Sequence, residues 1–328
     1  MKLVVIIPAF NEEATIARVI RGVPTRIPQI TDLEVVVVDD GSSDRTAYIA
    51  RETGATVISH QKNRGVGSAF WTGIEYALSS GGDVVVNIDA DEQFDPGHIP
   101  ELIAPILENR ADFVTTTRFA DPELVPRMPW VKKWGNRRIT GLVNRLIGGT
   151  HFTDVSCGFR AYSREAAFQF NLFGGFTYTQ ESFIDLAYKH VRMTEVSLPV
   201  RGMREHGKSR VANNLFRYAV NTSMIMLRAV RDIKPLAFFG TLGLIILGLG
   251  FMAGAFVLIH WLLTGHTSPY RSLLIGSAVG LLMGFLLIVL ALIADMLGRQ
   301  RRILEEILLR LRKHTLDMFS FREGKGES

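Results

Sequence analysis

The chain has a single cysteine in 328 residues, Cys157. One thiol cannot close an internal disulfide, which excludes the small stapled secreted folds and fits a reducing compartment. The spacing G-x-x-x-x-G-K-[ST] of a phosphate-binding loop is absent, and so is G-x-G-x-x-G, so neither glycine-rich device brings a nucleotide here. The eight histidines show no metal-ligand spacing. There is no internal repeat and no low-complexity tract. Lys2 precedes only five apolar residues, 3–7, before Pro8, too few for the apolar core of a secretory signal. The largest absence is of charge: residues 235–259 contain no charged side chain, and neither do residues 272–294.

Each uncharged run exceeds the roughly 20 residues that cross a bilayer core. The link between them, 264–271, is too short for a domain. The pattern predicts a transmembrane hairpin over residues 235–297, with spans at about 235–262 and 272–297. What charge there is lies unevenly. Residues 1–100 hold 8 Lys/Arg against 14 Asp/Glu, although the whole chain has a net charge of +5. Residues 201–234 hold eight basic residues and two acids, and residues 299–313 hold six and two. Both basic clusters flank the hairpin on the side away from its link, so both ends of the chain are expected in the cytoplasm. A collar of this kind attracts anionic headgroups or a lipid phosphate. Because the basic patches sit beside membrane spans, a bilayer is the expected partner and nucleic acid is not.

Before the hairpin, short apolar runs alternate with helical patterns. Strands are expected at 3–7, 34–38, 55–59, 84–88 and 112–117. Helices are expected from Asn11 to Val23, from Ser43 or Asp44 to Thr53, and from Gly65 to Leu78. This alternation predicts a doubly wound parallel sheet. Three strand ends then converge on one edge, at 8–12, 39–44 and 89–93, and ligands of open α/β sheets bind at such edges. Asp89 and Asp91 are two apart and share a face of an extended segment. With the amide oxygen of Gln93 they make a hard oxygen set suited to Mg²⁺ or Mn²⁺ shared with substrate phosphates. A bare D-x-D is also a common solvated turn, so its neighbours decide its meaning.

Those neighbours are I-I-P-A-F-N-E-E, V-V-D-D-G-S-S-D-R-T, K-N-R-G-V-G-S-A and D-A-D-E-Q-F-D-P, in that order. The set resembles the inverting family 2 glycosyltransferases of GT-A fold. Within them it is similar to the polyprenyl-phosphate glycosyltransferases, which include dolichol-phosphate mannose synthases. The resemblance implies a GT-A catalytic domain over 1–210. Apolar positions recurring at helical spacing among arginines add an amphipathic interfacial helix at 211–234, and after the hairpin at 235–297 mixed charge with apolar periodicity adds a cytoplasmic C-terminal helix and tail at 298–328. It implies a nucleotide-sugar pocket lined by Pro8, Asn11, Glu12, Asp39, Lys62, Arg64, Asp89 and Arg204, and a metal site at Asp89, Asp91 and Gln93. Asp91, Arg118 and Glu181 are implied in catalysis. Arg118, Lys132, Asn136, Arg204, Ser209 and Arg210 are implied in holding the acceptor phosphate. Lys132 and Asn136 stand where relatives commonly carry an arginine and a small polar residue. The D-x-x-S-G-F loop of the family appears as Asp154-Val155-Ser156-Cys157-Gly158-Phe159, with a cysteine inserted. Cys157 reads as a packed residue, because the expected reaction needs no thiol.

That reaction is inverting transfer of one sugar from a nucleotide sugar, UDP preferred and GDP possible, to a polyprenyl phosphate, dolichyl or undecaprenyl. It explains many phosphate partners and no convincing nucleophile. A homo-oligomer is consistent with the resemblance. A processive polysaccharide synthase would carry Q-x-x-R-W and more spans, and a nucleotidyltransferase G-x-G-T-R; these are missing. An inactive nucleotide-sugar-binding scaffold would tolerate loss of the metal acids, and all three ligand candidates are present.

Overall fold

A computed structural model describes residues 1–119, 130–147, 151–170, 179–200, 231 and 235–323. The chain divides into two compact units, Met1–Ala219 with Leu309–Ser328, and Val220–Leu308.

The first unit contains β1 (Lys2–Ala9), α1 (Ile16–Gly22), β2 (Asp32–Asp39), α2 (Thr46–Glu52), β3 (Thr56–Ser59), α3 (Val66–Ser79), β4 (Val84–Asn87), α4 (Ile99–Leu107), β5 (Phe113–Thr117), α5 (Trp130–Ile147), β6 (Arg160–Ser163), α6 (Arg164–Phe168), α7 (Thr179–Tyr188) and β7 (Met193–Ser197). Seven strands form one sheet in the order β3-β2-β1-β4-β6-β5-β7. β1 is central, and its residues 3–7 are fully buried, as a strand covered on both faces requires. Each such apolar side chain contributes about 1.5–3 kcal/mol. Leu3, Val5 and Ile7 pack with Ile16, Val19 and Ile20 of α1 and with Ile99, Leu102 and Ile103 of α4. Ile6 points to the other face, where Gly73 of α3 lies so close that a Cβ there would collide with it.

The first four strands are parallel, as the alternation predicts, but the sheet is mixed. β6 runs antiparallel between β4 and β5, with Asn87 opposite Arg160 and Thr115 opposite the same arginine. The β-α-β pattern of the first hundred residues carries no information about a strand arriving later from the opposite end. A second departure concerns Asn11. It does not cap a helix: α1 begins at Ile16, and Asn11 has φ +54°. Asparagine tolerates this left-handed conformation better than most residues.

In the second unit, α8 (Pro235–Thr264) has 30 residues and runs about 45 Å at 1.5 Å per residue, enough for a hydrocarbon core about 30 Å thick. It packs antiparallel on the start of α9 (Arg271–Glu323). A Cβ on Gly250 would come within 2.8 Å of Leu281 N, and one on Gly243 within 3.0 Å of the Gly284 carbonyl. Small residues thus bring the two backbones together. Leu244, Ile245, Phe251, Leu262 and Leu263 are exposed, the reverse of a water-soluble helix pair. The helix that holds the second uncharged run does not end with it. α9 continues unbroken for 53 residues, so the expected separate C-terminal helix is its last part. That part belongs to the first unit from Leu309 onward. There Arg312 donates to the Phe170 carbonyl at 2.9 Å and stacks over Trp71 at 5.0 Å. Of the expected interfacial helix at 211–234, only Arg231 is among the described residues.

Candidate active site

The ends of β1, β2 and β4 meet at one edge, because the parallel register sets Ala9 against Asp39 and Ile6 against Asn87. Pro8 is in β1 beside Val38. Asn11 fastens the loop after β1 to the loop after β2: its N–H donates to Ser42 Oγ at 2.9 Å, and its Oδ1 accepts from Ser43 N–H at 2.8 Å. The Glu12 N–H donates to Thr46 Oγ1 at 2.8 Å. The Glu12 carboxylate accepts from the Thr15 hydroxyl at 3.2 Å. Asp44 accepts from Thr46 N–H at 3.0 Å and from Glu13 N–H at 3.3 Å, so its work is structural.

The two acids ending β2 divide their tasks. Asp40 is 2% exposed and accepts from Arg64 N–H at 2.9 Å, Gly65 N–H at 2.8 Å and the His60 ring at 2.7 Å. It therefore shapes the loop carrying Lys62 and Arg64, whose side chains are exposed. Gly41, at φ +74°, lets that loop pass, since a Cβ there would come within 2.7 Å of the Lys62 backbone. Asp39 is also buried, and it accepts from Ser42 N–H at 3.0 Å.

After β4 the chain turns sharply. Glu92 takes φ +60° and its carboxylate pairs with Arg18 of α1. Asp91 is 4% exposed and accepts from the Gln93 N–H at 3.1 Å. Asp89 lies over Gly158, where a Cβ would collide with its carboxylate. The loop 151–159 therefore abuts the D-x-D segment, and Asn87 ties it down by donating to the Gly158 carbonyl at 2.8 Å. Among the described residues no group of three or more His, Cys, Asp or Glu could hold a metal ion by itself. Two carboxylates with an amide still fit Mg²⁺ or Mn²⁺, which take one or two carboxylates and complete their shell with water and substrate phosphates.

The same loop holds one partner of an ion pair. Arg118, just past β5, donates to both oxygens of Asp154, at 2.5 and 3.1 Å. Asp154 is fully buried. Its Oδ1 also accepts from Ser156 N–H at 2.9 Å and Asn136 Nδ2 at 3.3 Å. Ser156 Oγ donates back to Asn136 Oδ1 at 2.6 Å. Arg118 and Asn136 are thus brought together, but Asn136 spends its amide on this network. Lys132 and Glu181 lie on α5 and α7, with side chains outside the described ones. Arg204, Ser209 and Arg210 lie outside the described residues altogether. Cys157 is buried, and burial pushes its thiol up to about 12, as suits an inert packing residue.

Three participants escape a reading of the sequence. Asp154 stands inside a recognisable motif, but nothing in that motif announces its pairing with Arg118. Arg160 is fully buried; it donates to Ser182 Oγ at 2.6 Å and to the Val155 carbonyl at 3.0 Å, and lies 4.7 Å over the Phe183 ring. It therefore joins the 151–159 loop to the first turns of α7. Glu195 on β7 accepts from Thr153 N–H at 2.8 Å and Thr153 Oγ1 at 3.0 Å, and burial raises its carboxyl above the ordinary range.

Residues 4–168 match the family described as glycosyl transferase family 2. An uncharacterized protein of Methanocaldococcus jannaschii is 33% identical over 229 residues, covering 69% of this chain and 91% of that protein. The UDP-N-acetylglucosamine–dolichyl-phosphate N-acetylglucosaminyltransferase of Methanococcus voltae is 33% identical over 178 residues, 49% of this chain and 69% of that enzyme. Among solved structures, glucosyl-3-phosphoglycerate synthase of Mycobacterium tuberculosis, in complex with Mn²⁺, UDP and phosphoglyceric acid, superposes with a TM-score of 0.55 at 25% identity, covering 69% of this chain and 78% of that one. The mixed sheet is of GT-A type, and this chain belongs to glycosyl transferase family 2.

Proposed function

We propose that the chain transfers a single sugar from a nucleotide sugar to a polyprenyl phosphate, with inversion, at the cytoplasmic face of a membrane that α8 and the first part of α9 span. What supports this reading most is the loop 151–159, which abuts Asp89 at Gly158 and pairs Arg118 through Asp154, in a chain that also has two bilayer-length apolar helices. The dolichyl-phosphate relative supports the acceptor class and favours UDP over GDP.

A phosphate monoester has its second pKa near 6, so the acceptor oxygen is anionic at neutral pH and needs no dedicated base. It attacks the anomeric carbon, the bond from that carbon to the diphosphate oxygen breaks, and the nucleoside diphosphate leaves with the electron pair. The chain's task is to hold two anions in line. Asp39 and the interlocked loops after β1 and β2 form the nucleotide pocket, with Pro8, Asn11 and Glu12 along its wall and Lys62 and Arg64 at its rim. Asp89, Asp91 and Gln93 would hold Mg²⁺ or Mn²⁺, which neutralises the departing diphosphate when bound. The Mn²⁺ in the mycobacterial enzyme supports that assignment. Arg118, held by Asp154, is the cation we assign to the acceptor phosphate; Lys132, Arg204, Ser209 and Arg210 are assigned to the same group and Glu181 to the sugar.

The test is to incubate the purified full chain with Mn²⁺, polyprenyl phosphate and a panel of nucleotide sugars. One donor should yield an acid-labile glycolipid and one equivalent of nucleoside diphosphate. Radiolabel running into long polymer, or no lipid product from any donor, would overturn the reading.

A further inference from the structure

Asp91 and Gln93 are separated by Glu92, which has φ +60°. Glycine and asparagine visit that left-handed region readily, but a glutamate does so at a cost. Such a conformation persists only where the surroundings impose it. The segment is anchored on either side. Upstream, the Ile88 N–H donates to the Ile6 carbonyl at 3.0 Å. Downstream, Phe94 is buried, with its ring 5.5 Å from that of Phe159. Between these anchors the Glu92 side chain is only 11% exposed. Its two carboxylate oxygens accept from Arg18, one from Nε and the other from Nη2 at 2.7 Å. Arg18 lies on α1, four residues before Gly22, where a Cβ would come within 3.1 Å of Pro96. One side of α1 therefore meets the segment after β4 twice, at Glu92 and at Pro96.

We propose that Arg18 is a positioning residue for the metal site: by clamping Glu92 it holds the 91–93 turn in the left-handed shape that brings Asp91 and Gln93 to one cation. The proposal rests on the assignment of Mg²⁺ or Mn²⁺ to Asp89, Asp91 and Gln93. Because Glu92 stands between two of those ligands, its backbone angles set how they face each other. The Gln93 N–H, donating to Asp91 Oδ1 at 3.1 Å, closes the same turn. Ion pairs at a protein surface commonly contribute little. This one differs in two respects. The guanidinium meets the carboxylate with two parallel bonds, which fix direction as well as distance. The carboxylate is also nearly out of the solvent, so its place is tied to that of Arg18. Groups that act through a ligand in this way commonly decide how well a metal is held.

The test uses the purified full chain and two readouts, neither of which measures sugar transfer. In the metal-free protein, hydrogen exchange of the peptide covering 88–95 should be about tenfold faster in Arg18→Ala than in the wild type. With UDP present, Mn²⁺ binding followed by electron paramagnetic resonance should weaken about tenfold in the same variant. Arg18 is half exposed, so its truncation leaves the core of α1 in place. The second variant adds Glu92→Gly to Arg18→Ala. Glycine takes φ +60° without a steric penalty, so Mn²⁺ affinity should recover to within about threefold of the wild type. Unchanged exchange and unchanged affinity in Arg18→Ala would mean a solvated surface pair and overturn the proposal. A double variant as weak as Arg18→Ala also overturns it, since Arg18 would then act through its charge and not through the shape of the turn. Wild type that takes up no Mn²⁺ refutes the metal assignment and this proposal together. Wild type that binds Mn²⁺ as tightly as Arg18→Ala does refutes this proposal alone.

Discussion

Around the ends of β1 and β2, the buried and loop-capping aspartates take most of their hydrogen bonds from the backbone. Asp40 accepts from Arg64 and Gly65 N–H, Asp39 from Ser42 N–H, and Asp44 from Thr46 and Glu13 N–H. Around β5 the central carboxylate, Asp154, is held largely by side chains, those of Arg118 and Asn136. The first arrangement shapes loops and leaves their side chains to meet a ligand. The second neutralises and aims one particular cation. A pocket for a nucleotide needs loop shape, and a grip on a phosphate needs a cation kept in a single orientation. The contrast predicts that mutations on the β1–β2 side raise donor KM, and those on the β5 side raise acceptor KM and cost more stability.

The harshest break is Asp91→Ala, which lies between the two sides and should cost both. Transfer should fall by about 10³-fold or more with the fold kept, read as glycolipid formation beside an unchanged far-ultraviolet circular dichroism spectrum. Asp154→Asn comes next. It leaves the Arg118 guanidinium partly buried with its counter-ion gone, and losing one partner of a buried pair costs about 3–5 kcal/mol. A drop in apparent Tm together with a raised acceptor KM is the expected result. An unchanged acceptor KM would break the comparison on that side. Asp40→Asn should be milder. It turns an NH₂ toward backbone N–H donors, costing about 1–3 kcal/mol, and should raise donor KM while acceptor KM holds. If Asp40→Asn and Asp154→Asn move the same KM, the two-sided description is wrong.

How much of this was legible in the residues follows the range of the interactions. β1, β2 and β4 were legible because buried parallel strands read as unbroken apolar runs, and the convergence of their ends follows from alternation alone. The hairpin was legible because length without charge is a one-dimensional property. Pairings across the fold were not. Asp154 is 36 residues from Arg118, and Arg160 is 22 from Ser182. Neither spacing has a local signature. Asn11 misled for a different reason: asparagine serves equally as a helix cap and in the left-handed region, and only its bonds to Ser42 and Ser43 decide. That the C-terminal helix continues α9 without a break was not legible, because the charge beginning at Asp295 and Arg299 marks a change of surroundings and arginine is a good helix former that gives no sign of a break.

Glu195 offers the finest test, because it sits on the β5 side yet behaves like the acids of the other side, accepting a backbone N–H from Thr153, next to Asp154. Burial raises its pKa above the ordinary 4.5, the bonds from Thr153 offsetting part of that rise. The folded state therefore binds this proton more tightly than the unfolded chain does. The resulting stability is fully present below pH 4.5 and is lost as pH rises through the folded value. At neutral pH the wild type carries a partly buried charge that Glu195→Gln would not, and glutamine keeps a neutral oxygen toward Thr153. The variant should then gain on the wild type in apparent Tm as pH is raised from about 4 to 7, by a small amount, because the carboxylate is only part buried. Its acceptor KM should barely change, since shape at Thr153 is preserved. A Tm difference that stays flat with pH would mean that the carboxylate ionises as freely in the fold as outside it. In that event the 153–154 turn would be held by Asp154 and its side-chain partners alone.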